Sequence, residues 1–505
     1  MTYESKTTQS LNKDNIEIMC ASMLYMNIIY DVAVIGGGPA GMMAAGRASE
    51  RGMRVILLEK NADLGKKLLI TGGGRCNITN AEFDNRALLS KFKGSDKFLF
   101  SAFSQYSVKE TLDFFHSRGM KTKTEEGQRI FPLSNKAESV WKVLIENMKD
   151  NVHGGSNPVV IRNNAEVVGF EIFNSVNLGV GSEHQRRMKG ACECDWREHE
   201  EFPSKEISVP LNSSLVRSVT PPKRASNKII RAVRLLNGEI IRANSFILAT
   251  GGKSHPETGS TGDGFEWLAK LGHTISPPFA ALVPITVSDQ WVKNLSGVSI
   301  SNAKITLLQN DLKVGGKNQI KRGKILFTHF GLSGPAILNM SSEISELLKY
   351  GEVVISLDLL PNHDYSTLNE TLQDLFKKQS NKKFKNAITD IIPACFVPVI
   401  LEKSGITSET FCHSVTREER LVLIKIFKDI RIHPTGILGE DKAIITSGGV
   451  ALKEIDFRTM RSHIIPNLYL IGDVLNIDRP SGGYSLQLCW TTGWVAGNSV
   501  QKDTL

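Results

Sequence analysis

The sequence predicts an α/β protein: a discontinuous Rossmann-type domain into which a β-barrel-like domain and a helical lid are inserted. Three observations carry this expectation. The run Tyr30-Asp31-Val32-Ala33-Val34-Ile35 leads into Gly36-x-Gly38-x-x-Gly41, and a second apolar run, Val55-Ile56-Leu57-Leu58, ends at Glu59. Far along the chain, Ser245–Ala249 and Asn467–Ile471 are short apolar runs that each end in a glycine turn, as strands of the same sheet would. Between them the pattern shifts to short alternating strands and then to helical spacing.

In chain order, residues 1–27 read as a loose N-terminal extension. They mix Glu4, Lys6, Lys13, Asp14 and Glu17 without the cationic bias of a signal peptide, and Met19, Met23 and Met26 could each begin the chain. Residues 28–276 and 446–505 supply the dinucleotide-binding domain, with an insertion at about 174–230. In the glycine turn, Gly36 permits the sharp bend, Gly38 lets backbone approach a phosphate and Gly41 allows close helix packing. Met42 to Arg51 reads as the helix whose amino end holds the phosphates, and Glu59 as the acceptor for a ribose. Residues 277–361 and 429–445 form the β-barrel-like domain, with Ala303–Leu308 and Glu352–Leu357 among its strands. Residues 362–428 form the helical unit, marked by the spacing of Leu368, Leu372, Leu375 and Phe376.

Composition narrows the class. At 505 residues, 41% hydrophobic and 22% charged, the chain is long enough for two or three domains and an enclosed cofactor. The longest apolar candidate for a membrane span, Ile18 to Ile35, is interrupted by Asn27 and Asp31, so no membrane role is expected. The 7 cysteines are odd in number and scattered, which points to a reducing, cytoplasmic setting. Cys192-Glu193-Cys194 has no second ligand pair at metal-binding spacing, and no metal site is expected. No Cys-x-x-Cys lies near the glycine turn, which argues against dithiol chemistry. Serine hydrolase, Walker A and His-Glu-x-x-His patterns are absent.

The candidate cofactor residues gather around the turns. They are Gly36, Gly38, Pro39, Ala40 and Gly41, then Glu59 with Lys60, then Thr250-Gly251-Gly252. At the carboxy-terminal end, Gly472-Asp473 and Gly482-Gly483-Tyr484 precede a helix reaching to Val500. A carboxylate after a sheet strand suits a ribityl chain, and a helix amino end suits the electron-rich side of an isoalloxazine, so the set indicates FAD rather than NAD. The loop His255–Gly264 also reads as cofactor-proximal.

These motifs, together with Thr71-Gly72-Gly73-Gly74-Arg75-Cys76-Asn77-Ile78-Thr79-Asn80, resemble the YhiN/BaiN-like (aminoacetone-oxidase-like) flavoproteins over about residues 28–500. The resemblance implies an FAD-dependent oxidoreductase and places Gly73, Gly74, Arg75, Cys76 and Asn77 over the FAD, with Arg75 offsetting pyrophosphate or flavin charge. It also implies hydride addition to a conjugated C=C, either of a uridine in large-subunit ribosomal RNA or of a steroid enone. His329, Tyr484 and Cys76 are the catalytic candidates, each with a purely structural role as its alternative. No second glycine fingerprint follows a strand, so either NAD(P)H visits the flavin transiently or another donor serves.

A net charge of +9 bears on partners. Basic residues cluster at Arg217, Lys223, Arg224, Lys228, Arg231 and Arg234; at Lys313, Lys317, Lys321, Arg322 and Lys324; and at Lys377, Lys378, Lys382, Lys383 and Lys385. They either track an RNA backbone or are solvated faces of an enzyme acting on small molecules, an enone or an amine.

Overall fold

The structure, a computed structural model, describes residues 28–502 apart from 93, 150–156, 175–227, 311 and 314–319. The N-terminal extension, the Cys192–Cys194 pair, the cations Arg217, Lys223, Arg224 and Lys317 and most of the expected insertion lie outside the described residues.

Strand β1 (Ile29–Ile35) is the middle of the nucleotide-binding sheet, and Val32, Ala33 and Val34 have no exposed surface. Such a continuous apolar run belongs to a parallel strand covered on both faces. Helix α1 (Pro39–Glu50) crosses to β2 (Val55–Leu58), which pairs in parallel with β1 in the register Val34↔Leu57. Then comes α2 (Lys66–Gly74), broken at Thr71, where ψ is 144°, and at Gly72 and Gly73, where φ is positive. The sheet continues with β3 (Val160–Arg162) beside β2. On the other side of β1 lie β6 (Ile240–Leu248), in parallel, and then β5 (Lys228–Leu235) and β4 (Val167–Asn174), both antiparallel. Strands β4 and β5 pair from Val167↔Leu235 to Asn174↔Lys228.

The chain then enters a second, eight-stranded sheet. Strand β7 (Ile275–Ala281) carries Pro277-Pro278 and leads in. The sheet comprises β8 (Ile285–Val287), β9 (Ser299–Gln309), β10 (Lys321–Thr328), β11 (Gly331–Ser333), β12 (Val353–Asp358), β13 (Ile430–Ile432) and β14 (Pro434–Ile437), with Leu312–Lys313 folded back on β9. Its order runs β13-β12-β9-β10-β11-β8-β14. The two end strands are joined through His433 alone, so the sheet curls round on itself as a barrel. Helix α3 (Pro335–Leu338) follows β11. Helices α4 (Tyr365–Lys378), α5 (Val397–Ser404) and α6 (Arg417–Lys428) form the helical unit, and Leu368, Leu372, Leu375 and Phe376 are its buried face.

Strand β15 (Ile445–Val450) returns antiparallel to β7, and β16 (Leu468–Leu470) adds the seventh strand to the first sheet, parallel to β6. Helix α7 (Tyr484–Ser499) closes the fold against α1. The helices approach at backbone distance: a Cβ on Gly493 would lie 2.5 Å from the Ala40 carbonyl oxygen, and one on Gly497 2.5 Å from that of Ala44. No helix among the described residues is long and apolar enough to cross a membrane.

Candidate functional site

The parallel register sets the end of the sheet at which a ligand sits. Ile35 pairs with both Leu58 and Leu248, so the turns beginning at Gly36, Glu59 and Ala249 emerge together. Gly36 has φ +103° and its missing Cβ would meet the Ala249 oxygen at 2.5 Å. A Cβ on Gly41 would fall 1.9 Å from the Gly36 oxygen, so this glycine lets α1 pass over the turn. Gly38 differs, since no atom of the described residues lies within 4 Å of where its Cβ would be. It caps α1 without a side-chain bond to the first-turn amides, which face a cavity of about 120 Å³. One water needs only ~10–15 Å³, so this is a ligand space and not a packing fault.

Glu59 closes one side. One carboxylate oxygen accepts the Gly37 amide at 2.8 Å, and the other accepts the Asn61 amide at 2.9 Å and its side-chain nitrogen at 2.6 Å. The outward lone pairs still suit ribose hydroxyls. Lys60 is held by Asp263 at 3.0 Å and Thr261 at 2.6 Å, which fastens the 255–264 loop to the same wall. At the other end Asp473 pairs with Arg479, whose side chain is wholly buried and also donates to Ser485 and the Ile477 carbonyl. Lys67 reaches across to Ser254, 2.9 Å from its carbonyl and 2.5 Å from its hydroxyl. Burial pushes the Lys67 ammonium below the ordinary lysine range, and the nearby Asp473 carboxylate opposes that push.

A second cluster forms at the amino end of α7, the helix whose Cys489 lines the cavity. The Gly482-Gly483 turn, with φ of +122° and +105°, packs on Thr79–Asn80: the Asn80 amide nitrogen donates to the Gly482 carbonyl at 3.2 Å. Thr79 donates to Gln487 at 2.7 Å, and Gln487 donates in turn to Thr111 and Thr491. The barrel meets this cluster where the Ser481 amide donates to Asn339 at 2.8 Å, just after α3. Among the described residues, Thr250 Oγ1, Asn77 Oδ1 and Ser481 Oγ are buried without a hydrogen-bond partner. Orphaned polar atoms at both clusters, with the open backbone at Gly38, are what a long, polar dinucleotide would satisfy, so the residues present fit FAD.

Two family models match: the HI0933-like protein Rossmann domain over residues 30–191 and the HI0933-like protein barrel and H2TH domain over 279–445. The chain belongs to the HI0933-like family. It is an FAD-dependent oxidoreductase. The chain is 28% identical over 478 residues to a 3-dehydro-bile acid delta(4,6)-reductase of Clostridium scindens, covering 93% of this chain and 99% of that one. It is 26% identical over 474 residues to a ribosomal RNA dihydrouridine synthase of Escherichia coli, covering 93% and 98%. Among solved structures it resembles a flavocytochrome c3 fumarate reductase at a TM-score of 0.41 and 13% identity, covering 98% of this chain and 82% of the other.

Within this HI0933-like site, Gly36, Gly38, Pro39, Ala40, Glu59, Lys60, Thr250, Gly251, Gly472 and Asp473 line the cavity. Gly41 sits behind the turn, and Gly252 packs on Thr446 instead. Gly482, Gly483, Tyr484 and Asn77 belong to the second cluster, beside the exposed strip Gly72–Gly74.

The structure does not bring Arg75 to the cavity wall. Its guanidinium is bound by Glu125 at 2.5 Å and Asn135 at 2.8 Å and lies 4.2 Å from the Phe131 ring, so its charge is met by the small sheet Thr79–Asn80, Thr122–Glu125 and Arg129–Pro132 and the turn after it. The Cys76 thiol is fully buried and burial pushes its pKa up to about 12, which leaves no thiolate to act as a nucleophile. His329 is exposed in the β10–β11 turn, at the opposite end of that hairpin from Ser333–Gly334, through which the chain reaches Asn339. Burial also raises the Tyr484 phenol, whose ring stands edge-on to Phe92.

Asn61, Lys66 and Lys67 also line the cavity but carry no sequence fingerprint, whereas Ser260, another lining residue, lies in the 255–264 loop expected near the cofactor. The one available signal was the pair of lysines following Gly65, so close behind Glu59.

Proposed function

We propose that this oxidoreductase adds a hydride to the C=C of a uridine in 23S ribosomal RNA, giving dihydrouridine. In this reading the Gly36–Gly41 turn, Glu59, Lys60, Thr250-Gly251 and Gly472-Asp473 hold the adenosine, pyrophosphate and ribityl parts of FAD. The strip from Gly73 to Asn77 and the Gly482-Gly483 turn border the ring. FAD supplies the hydride, taken from a transient NAD(P)H or another donor. Of the catalytic candidates, Tyr484 alone borders that turn; kept protonated by burial, it is our candidate for the proton that completes the addition.

The observation that carries the RNA reading is the exposure of the glycine strip, and the basic surface of the helical unit adds to it. Gly72, Gly73 and Gly74 are exposed, as a site for a base presented by a large polymer requires. The helical unit offers Lys377, Lys378 and Lys382, all exposed or half-exposed; Lys383 and Lys385 are shared with Glu409. On the hairpin, Arg234 is paired with Glu171 and Arg231 covers Phe173, so that part of the basic pattern is committed to the protein itself. The reductase name of the Clostridium scindens relative supports a second reading, reduction of a small conjugated enone with no nucleic-acid role.

One experiment separates them. The FAD-loaded protein, with reductant, is given unmodified 23S ribosomal RNA or a steroid enone; dihydrouridine is measured by mass spectrometry and enone loss by absorbance. Dihydrouridine at a defined position supports the proposal. Turnover of the enone with unchanged RNA overturns it.

A further inference from the structure

Among the described residues, two lysines of the cavity wall have no carboxylate bonded to them. Lys60 is matched by Asp263, and Asp473 by Arg479. Glu59 is satisfied by amides. This leaves Lys66 and Lys67, whose bonds go to neutral oxygens: Lys66 to the Asn61 side-chain carbonyl at 3.3 Å and Lys67 to Ser254. A half-buried ammonium bound only by neutral acceptors is short of an anion.

Their position is fixed from the glycine turn. The Gly65 amide donates to the Gly37 carbonyl at 2.9 Å, which docks the Gly65-Lys66-Lys67 segment directly on the phosphate-facing loop. Gly65 has φ +71°, and a Cβ there would meet Trp141 at 2.9 Å and Met42 at 3.1 Å. Trp141 in turn donates to the Leu64 carbonyl at 2.9 Å. The segment is thus clamped in place before any ligand arrives.

We propose that Gly65-Lys66-Lys67 is a second pyrophosphate-recognition element, in which Lys66 and Lys67 supply the charges that face the cofactor's diphosphate across from the amino end of α1. The diphosphate is the one strongly anionic part of FAD, and the α1 amides contribute only a partial charge. The lowered Lys67 affinity for its proton agrees with a site built for an anion that restores it. The inference rests on the assignment of FAD to this cavity and adds the residues that discriminate its phosphates.

The test is FAD binding to flavin-stripped, full-length protein, read by quenching of flavin fluorescence at several salt concentrations, with ADP and adenosine as competitors. Lys66→Met and Lys67→Met should each weaken FAD about tenfold or more, flatten the salt dependence, and weaken ADP in parallel while leaving adenosine unchanged. Lys67→Arg should recover most of the loss, and thermal unfolding of each variant reports whether it folds. Lysine variants that bind FAD as tightly as the parent would overturn the proposal. So would equal losses for ADP and adenosine, or unchanged affinity for oxidised FAD with a shifted flavin midpoint potential, which would place Lys67 against the ring. A parent protein that takes up no FAD would overturn the cofactor assignment itself, a distinct result.

Discussion

The Glu59 carboxylate accepts the backbone amide of Gly37 at 2.8 Å, tying the tip of β2 to the middle of the glycine turn. One acid therefore both shapes the cradle and faces the ribose. Glu59→Ala strips a buried amide of its acceptor, which costs about 1–3 kcal/mol. Glu59→Gln presents an amide nitrogen to either Gly37 or Asn61, both of which are donors. Chemical unfolding of the apo-protein should show the alanine variant destabilised by that amount, and both variants should bind FAD at least tenfold more weakly. Unchanged FAD affinity in both would remove Glu59 from the site.

The three glycines of the turn should fail in different ways. At Gly41 a methyl would collide with backbone 1.9 Å away, which no rotamer relieves, so Gly41→Ala should lose about 3 kcal/mol or fail to fold. Gly38 has an ordinary φ of −74° and open space at its Cβ position. Gly38→Ala should therefore fold like the parent, as judged by circular dichroism, yet lose FAD because the methyl faces the phosphate space. A Gly38→Ala protein that stays yellow at parental stoichiometry would contradict this division of labour.

What was legible in the sequence is what local patterning encodes. The apolar runs at Val32–Ile35 and Val55–Leu58 had to be buried parallel strands, and the spacing of Gly36, Gly38 and Gly41 fixed the turn between them. Leu368 to Phe376 announced a helix face by its period. The second cluster was half legible: both its glycine-rich blocks stood out, but not their contact through Asn80 and Gly482, which lie 402 residues apart. The partners of Arg75 were not legible for the same reason. Glu125 and Asn135, which hold its charge, are 50 and 60 residues away, and no local rule predicts the pairing. Lys66 and Lys67 carry no local signal of a site, since two adjacent lysines ordinarily mark a solvated surface.

Cys76 should behave as an inert core thiol. It is fully buried, its pKa is pushed up to about 12, and it sits at φ +59° within the block that wraps the second cluster. Iodoacetamide at neutral pH should label the exposed Cys395 and spare Cys76, as peptide mass spectrometry would read. Cys76→Ala should retain hydride transfer within a few-fold. A loss of a hundredfold or more in kcat with FAD still bound would restore the thiol to the chemistry.

His273 makes the fold sensitive to acid. Its Nε2 lies 3.0 Å from the Ser462 hydroxyl, and that oxygen already accepts the amides of Ile464 and Ile465 at 3.0 and 2.9 Å. The hydroxyl must therefore donate to Nε2, which has to be unprotonated, while Nδ1 donates to Glu454 at 3.2 Å. Burial lowers the imidazole below its ordinary 6.5, with Glu454 pulling the other way. A group whose folded pKa is depressed in this way leaves stability intact above 6.5. As the pH falls below that value, the unfolded chain takes up a proton that the folded chain refuses. Stability should then decline by up to about 1.4 kcal/mol per pH unit until the folded pKa is reached. Denaturant midpoints from pH 7.5 to 5.5 should fall more steeply for the parent than for His273→Gln, which cannot titrate. Parallel curves would show that His273 is protonated alike in the folded and unfolded chains.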